Sequence, residues 1–222
     1  MPSNVHYQGP QDLPEVIPVF PLGEALLLPR GQMPLNIFEP RYMAMIDAAL
    51  AGERLIGMIQ PLAEDHEAKA PRLMPVGCVG RLTEVAETGD GRYIITLTGI
   101  ARFRLVEEVP TGQPFRTARV SYLPFTGDFT PREGEEAVDR EAVLDALRAF
   151  SDAKAVEIDW DDVAQAPTEA LVNALSMMSP YGIKEKQALL EAPDLKTRAE
   201  LLIAITEMEI GATGKDGDIT VQ

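Results

Sequence analysis

Between Ile17 and Leu50 the apolar positions change period once. Ile17-Pro18-Val19-Phe20-Pro21-Leu22 and Pro34-Leu35-Asn36-Ile37-Phe38 are rich in β-branched and aromatic residues. Both contain proline, which cannot donate to a ladder, so they read as short, edge-like or bulged strands with a bend at Pro29 and Gly31. From Arg41 the apolar residues fall at Tyr42, Met43, Ile46, Ala49 and Leu50, the spacing of one helix face. Pro40 suits the first turn of that helix and Gly52 its end.

Leu55 to Ile59 is a further strand-length run. Two longer β segments, Pro75 to Glu87 and Tyr93 to Val106, flank Thr88-Gly89-Asp90-Gly91, whose Asp-Gly pair suits a hairpin turn. Gly99 interrupts the second segment and predicts a bulge or corner of the kind that closes barrels. Phe115 to Leu123 supplies a last strand. After Pro124 the period becomes helical. Thr130-Pro131-Arg132-Glu133 has the form of a capping box, which predicts a helix to about Phe150 or Ser151. Further helices are expected from Pro167 to Met178, from Lys184 to Glu191, and after an Asp194 cap. In the last, Leu195, Leu201, Leu202, Ile205 and Met208 form the predicted buried stripe, ended by Gly211. The division expected is a loose arm (1–15), a β subdomain (16–124), a helical subdomain of about four helices (125–211) and a flexible tail (212–222): an α+β chain.

Composition narrows the function. The formal charge is −15, and residues 125–222 hold 21 acidic against 9 basic side chains, so most of the acidity lies in the helical half. Phosphate-rich partners are repelled by such a balance, which makes nucleic acid an unlikely partner. The chain has one cysteine, Cys78, hence no internal disulfide, and it shows no signal-type leader and no membrane-length apolar run. A cytoplasmic protein without membrane contact is expected.

Candidate chemistry is sparse. Cys78, within Val76-Gly77-Cys78-Val79-Gly80, reads as a buried small apolar residue rather than a nucleophile. His66 with Glu64, Asp65 and Glu67 lacks ligand spacing. Asp159, Asp161 and Asp162 around Trp160 lack the rest of a calcium loop and read as helix-start charges about a buried tryptophan. Gly211 to Asp216 lacks the spacing of a phosphate loop. No catalytic residue, metal or cofactor is implied. What remains is a binding surface: Met33, Phe38, Tyr42 and Met43, with Glu39 and Arg41 ordering the loop, where flexible thioethers and rings suit varied apolar ligands. The same surface suits self-association into a homo-oligomer.

Ile17-Pro18-Val19-Phe20-Pro21-Leu22, Pro29, and Pro34-Leu35-Asn36-Ile37-Phe38-Glu39-Pro40-Arg41-Tyr42 together resemble the amino-terminal substrate-binding domain of Lon proteases. Val76-Gly77-Cys78-Val79-Gly80-Arg81-Leu82 and Thr98-Gly99-Ile100-Ala101-Arg102-Phe103-Arg104 resemble two of its strands, and Ala170 to Met178 with Glu185 to Glu191 resemble its helical end. One departure is Tyr181-Gly182-Ile183-Lys184-Glu185-Lys186, where similar proteins often start a helix with Ser-Pro-Glu-Glu-Lys. The resemblance runs from about Glu15 to Gly211. It implies a PUA-like β pseudo-barrel with one inserted helix followed by a helical bundle, and a module that holds unfolded or apolar protein segments as adaptor or holdase. It also implies an ATP-dependent protease as partner. The ATPase and Ser-Lys peptidase motifs of full-length relatives have no counterpart in these residues, so a stand-alone, non-enzymatic module is expected. The alternative is RNA or nucleotide binding on a PUA-like β face bearing Arg81, Arg92, Arg102, Arg104, Arg116 and Arg119.

Overall fold

The computed structural model describes residues 6–65, 68, 70–154 and 157–216, with backbone alone for 212–216. In chain order the elements are β1 (Val16–Pro21), β2 (Gln32–Ile37), α1 (Pro40–Ala51), β3 (Leu55–Pro61), β4 (Leu73–Glu87), β5 (Tyr93–Glu108) and β6 (Arg116–Ser121). Then follow α2 (Arg140–Lys154), α3 (Trp160–Gln165), α4 (Thr168–Met178), α5 (Ile183–Glu191) and α6 (Leu195–Asp216). The sheet order is β2-β5-β4-β3-β1-β6, and β5 also pairs with β6, so five strands close on themselves while β2, among the described residues, pairs with β5 alone. This is the barrel-like sheet with one inserted helix that the sequence implies.

The closure depends on one extra residue. Val79 pairs with Ala101 and Gly80 with Gly99, so Ile100 is skipped in the ladder. A one-residue insertion moves every following side chain to the other face. Before it, Ile95 and Leu97 belong to the core shared with the helices; after it, Ala101 and Phe103 point into the barrel. Gly99 is required at the bend: a Cβ there would lie 2.1 Å from the Leu28 carbonyl oxygen. Phe103 is fully buried, and Gly57 and Gly77 make room for it, since a Cβ on Gly77 would come within 2.4 Å of its ring. At the far end of the hairpin the positive φ falls on Gly91 alone, with the Gly91 N–H donating to Thr88 O at 2.9 Å.

Two cores result. Ile17, Val19, Leu55, Ile59, Val79, Phe103, Ala118 and Val120 fill the barrel. A larger core runs between the sheet and the helices, joining Phe20, Ile46, Ile56, Met58 and Leu97 to Val143, Val172, Leu189 and Leu202. Sheet and helices are therefore bound through a common interior.

Several expectations are corrected. The arm, outside the undescribed residues 1–5, is fastened to the barrel: Leu13 is buried in its core, Tyr7 packs there, and the Tyr122 hydroxyl donates to Pro14 O at 3.0 Å. The Thr130 capping box does not form. Thr130 ends a 3-10 turn, the Glu135 carboxylate accepts the Thr168 N–H and so ties this segment to α4, and α2 begins only at Arg140. There Asp139 Oδ1 accepts the Ala142 N–H at 3.1 Å. Trp160 is not buried; it is 40% exposed and opens α3, the short helix whose start the Asp159, Asp161 and Asp162 charges marked, with the Arg148 guanidinium 5.5 Å over its ring. In α6 the buried stripe is Leu195, Arg198, Ala199, Leu202 and Thr206. Met208, two residues and about 200° further round, is exposed. The helix continues through Gly211 to Asp216, so the expected tail begins in helix, and 217–222 lie outside the described residues.

Two outcomes follow. Phe103→Ala empties the barrel centre and should cost about 3–5 kcal/mol in denaturant unfolding. Asp194 caps α6, its Oδ1 accepting the Thr197 N–H at 2.7 Å, and that hydrogen bond holds its carboxyl below the usual 3.8. A depressed folded pKa stabilises above the unfolded value and loses that contribution as pH falls through the folded one. Asp194→Ala should therefore cost about 1 kcal/mol at neutral pH, with the gap to the parent closing below pH ~3.8.

Candidate functional site

β2 ends in Ile37 and α1 starts at Pro40, so Phe38 and Glu39 occupy a tight strand-to-helix corner. The corner forms because Pro40 presets the first helical turn and forces Glu39 out of the helical region, to φ −74 and ψ 132. Phe38 is left 61% exposed. Beside it lies a cleft of about 470 Å³ lined by Phe20, Leu22, Leu35, Ile37, Phe38 and Tyr42, among others. Its floor is the Phe20–Tyr42 ring pair, 4.1 Å between centroids. Burial raises the Tyr42 phenol above its ordinary pKa, so the ring offers a neutral surface. Arg41 sits 4.5 Å over the same ring, and its Nε donates to Glu39 Oε2 at 2.9 Å. Arg116, also on the lining, is held by Glu108 at 2.7 Å.

A second apolar cleft of about 580 Å³ opens at the other end of β2. Gly31, Met33 and Pro34 form one wall, and Ala174, Met177 and Met178 of α4 the other. Met178 is 83% exposed. Arg30 stands at this end with φ +64, its guanidinium paired with Glu169 and donating to Asp128 O at 2.6 Å. Asp128 in turn receives Arg102 Nη2 at 2.8 Å in an almost fully buried pair. Arg102 Nη1 donates to Leu190 O (3.1 Å) and Ala192 O (2.5 Å) at the end of α5, where a cation suits the free carbonyls. Arg198 is buried without a carboxylate partner among the described residues. Burial, followed by repulsion from Arg102, brings its pKa down to about 10.

The six residues singled out from sequence are thus divided. Phe38, Glu39, Arg41 and Tyr42 share the first cleft; Met33 lines the second; Met43 packs against the shared core. Sequence reasoning missed Phe20, Leu22 and Leu35 as cleft lining and the whole α4 wall. The adjacent pair Met177-Met178 gave no separate signal, because adjacent apolar residues such as Leu171-Val172 and Leu189-Leu190 are both buried in this fold.

The other candidates resolve physically. Cys78 is buried and its thiol is pushed far above its ordinary range by desolvation, the setting of an inert core thiol. Asp159 accepts the N–H groups of Asp161 and Asp162 and so caps α3. His66 and Glu67 lie outside the described residues, while Asp65 and Glu64 bond Arg72. Of the six arginines proposed as a basic face, Arg92, Arg102, Arg116 and Arg119 are each paired with a carboxylate, and Arg81 donates to Tyr7 Oη at 2.9 Å. No helix among the described residues is long and apolar enough to cross a membrane.

Comparison with known proteins adds the family. Residues 16–207 match the model for the ATP-dependent protease La (LON) substrate-binding domain. Lon protease 2 of Myxococcus xanthus is 29% identical over 88% of this chain and 24% of its own length; the Lon protease of Dictyoglomus thermophilum is 26% identical over 86% and 24%. The chain therefore spans about a quarter of these relatives. Among solved structures, the N-terminal domain of Mycobacterium avium complex Lon protease superposes with a TM-score of 0.65 at 20% identity, covering 86% of this chain and 98% of that one. A Lon N-terminal domain protein from Xanthomonas campestris gives 0.57 at 19%, covering 85% and 97%. At these identities both speak to fold alone.

The network beneath the second cleft has a testable cost. Asp128→Ala leaves Arg102 buried and unpaired and should lower unfolding stability by about 3–5 kcal/mol, measured by urea titration.

Proposed function

Because the chain belongs to the LON substrate-binding domain family, we propose that it is a non-catalytic polypeptide-binding module that holds exposed apolar segments of other proteins, as an adaptor or holdase. The observation that carries this reading is Phe38, a large ring left 61% exposed at the mouth of a cleft floored by Phe20 and Tyr42. A protein that exposes a ring beside an apolar cleft offers both a contact and a pocket to an apolar visitor. Glu39 and Arg41 hold each other, and Arg41 lies over the Tyr42 ring, so the pair sets the corner's shape rather than supplying free charge. Met33 serves the second cleft, and Met43 supports the helix from beneath. An ATP-dependent protease as the partner that receives the held segment, in the cytoplasm, is part of the same proposal, and the curated relatives' being Lon proteases supports it.

The test is binding of a permanently unfolded protein, followed by fluorescence anisotropy. Phe38→Ala removes a mostly exposed ring and should leave the melting temperature within the range of ordinary surface substitutions. It should weaken binding at least about tenfold, the equivalent of 1.4 kcal/mol. A folded Phe38→Ala protein that binds as tightly as the parent contradicts the reading.

A further inference from the structure

The two clefts are ends of one feature. Gly31, Gln32, Met33 and Pro34 line the second, and Leu35, Asn36, Ile37 and Phe38 line the first, so β2 runs from one to the other. Among the described residues β2 pairs only with β5, which leaves its other edge without a described neighbouring strand. Which backbone groups face that edge follows from the register. The Gly99 N–H donates to Gly31 O at 2.9 Å, and the Arg30 N–H to Gly99 O at 2.8 Å. With Arg30 at φ +64, this is a bulge that leaves Gly31 and Gly99 as a hydrogen-bonded pair. Bonded and non-bonded pairs alternate along an antiparallel ladder. Met33, Leu35 and Ile37, opposite Leu97, Ile95 and Tyr93, therefore turn their backbone groups toward β5. Gln32, Pro34 and Asn36 turn theirs outward. Proline at the central outward position agrees with this, because there its missing N–H costs the ladder nothing.

An open edge is a template for another strand, and proteins blunt it with charge, with proline or by covering it; Pro34 removes one outward N–H here, which leaves two donors and three acceptors. β2, Gln-Met-Pro-Leu-Asn-Ile, carries no charge. Gln32, Pro34 and Asn36 are all exposed. The edge presents the N–H and C=O of Gln32, the C=O of Pro34, and the N–H and C=O of Asn36, over about 16 Å at 3.3 Å per residue. From this we infer that client segments bind as an added strand on the outer edge of β2, with apolar side chains in the clefts at its two ends. The inference rests on the binding reading above and specifies its mode. Charge selects among extended segments: a chain of formal charge −15 attracts those whose apolar residues are interspersed with lysine or arginine and repels acidic ones. The occupant is thus an extended, apolar and basic stretch of another polypeptide, held by main-chain hydrogen bonds for affinity and by the clefts for selection.

The experiment uses the full chain and three synthetic peptides of alternating leucine and lysine: a parent, a twin N-methylated on the odd residues and a twin N-methylated on the even ones. All three have the same side chains. Calorimetry should show the parent binding and one twin, whose methyls face β2, weakened at least about tenfold relative to the other. Amide exchange should slow at Gln32 and Asn36 on adding the parent peptide. Asn36→Pro removes an outward N–H and should weaken the parent peptide; if that variant fails to fold, the twins still decide. Twins that bind equally well, while Phe38→Ala still weakens the parent, overturn strand addition and leave cleft binding standing. A parent peptide that binds neither the protein nor the Phe38→Ala variant overturns both. A dimer that Asn36→Pro dissociates without changing peptide affinity assigns the edge to a second copy and also overturns the inference.

Discussion

The extra residue at Ile100 is the constraint on which the rest of this architecture depends. It turns β5 over in mid-strand, so that one half contributes Ile95 and Leu97 to the core beneath the helices and the other contributes Ala101 and Phe103 to the barrel. The second half closes the barrel against β6, and the first half leaves the barrel wall. There β2 pairs with β5, and the two apolar clefts lie along it. Without the flip, Phe103 would face the helices and β5 could not serve two cores. Gly99, pressed against the Leu28 carbonyl, is the local consequence of making that turn tightly.

The joint between sheet and helices uses a second kind of interaction. Arg102, paired with Cys78 in the β4–β5 ladder, sends its side chain to Asp128 and the last carbonyls of α5, while Arg30, held in a left-handed conformation, reaches Glu169 on α4. Buried ion pairs contribute little net stability against an apolar alternative, but their geometry is demanding and their disruption is costly. In this fold they fix how α4 and α5 lie on the sheet, and so fix the wall that Met177 and Met178 present opposite Met33.

Much of this was legible in the chain. The change of period after Pro40 located α1, Asp-Gly located the β4–β5 hairpin, and Gly99 marked the bend, because each signal is local. What the sequence did not disclose depended on tertiary partners. Thr130 to Glu133 has the letters of a capping box, but the nearby Glu135 is drawn to α4 and the helix starts later, at Arg140, capped by Asp139. Trp160 looked like a core residue and lies at a surface helix start. The candidate site was recovered in part. Phe38 and Tyr42 stood out as aromatic residues around a proline corner, whereas the α4 wall required knowledge of which helix lies beside β2. The openness of the β2 edge follows from sheet order, which no local pattern encodes.

The functional account is that a rigid barrel with a shared helical core holds out one uncharged strand and two apolar clefts for another chain to occupy. The measurement that tests this most directly is a backbone amide chemical-shift map of the protein titrated with a permanently unfolded polypeptide. The account predicts shifts concentrated along Gly31 to Tyr42 and at Met177 and Met178, with β6 and the barrel interior undisturbed. Shifts concentrated on β6 or on α3, with the β2 segment unchanged, would contradict it.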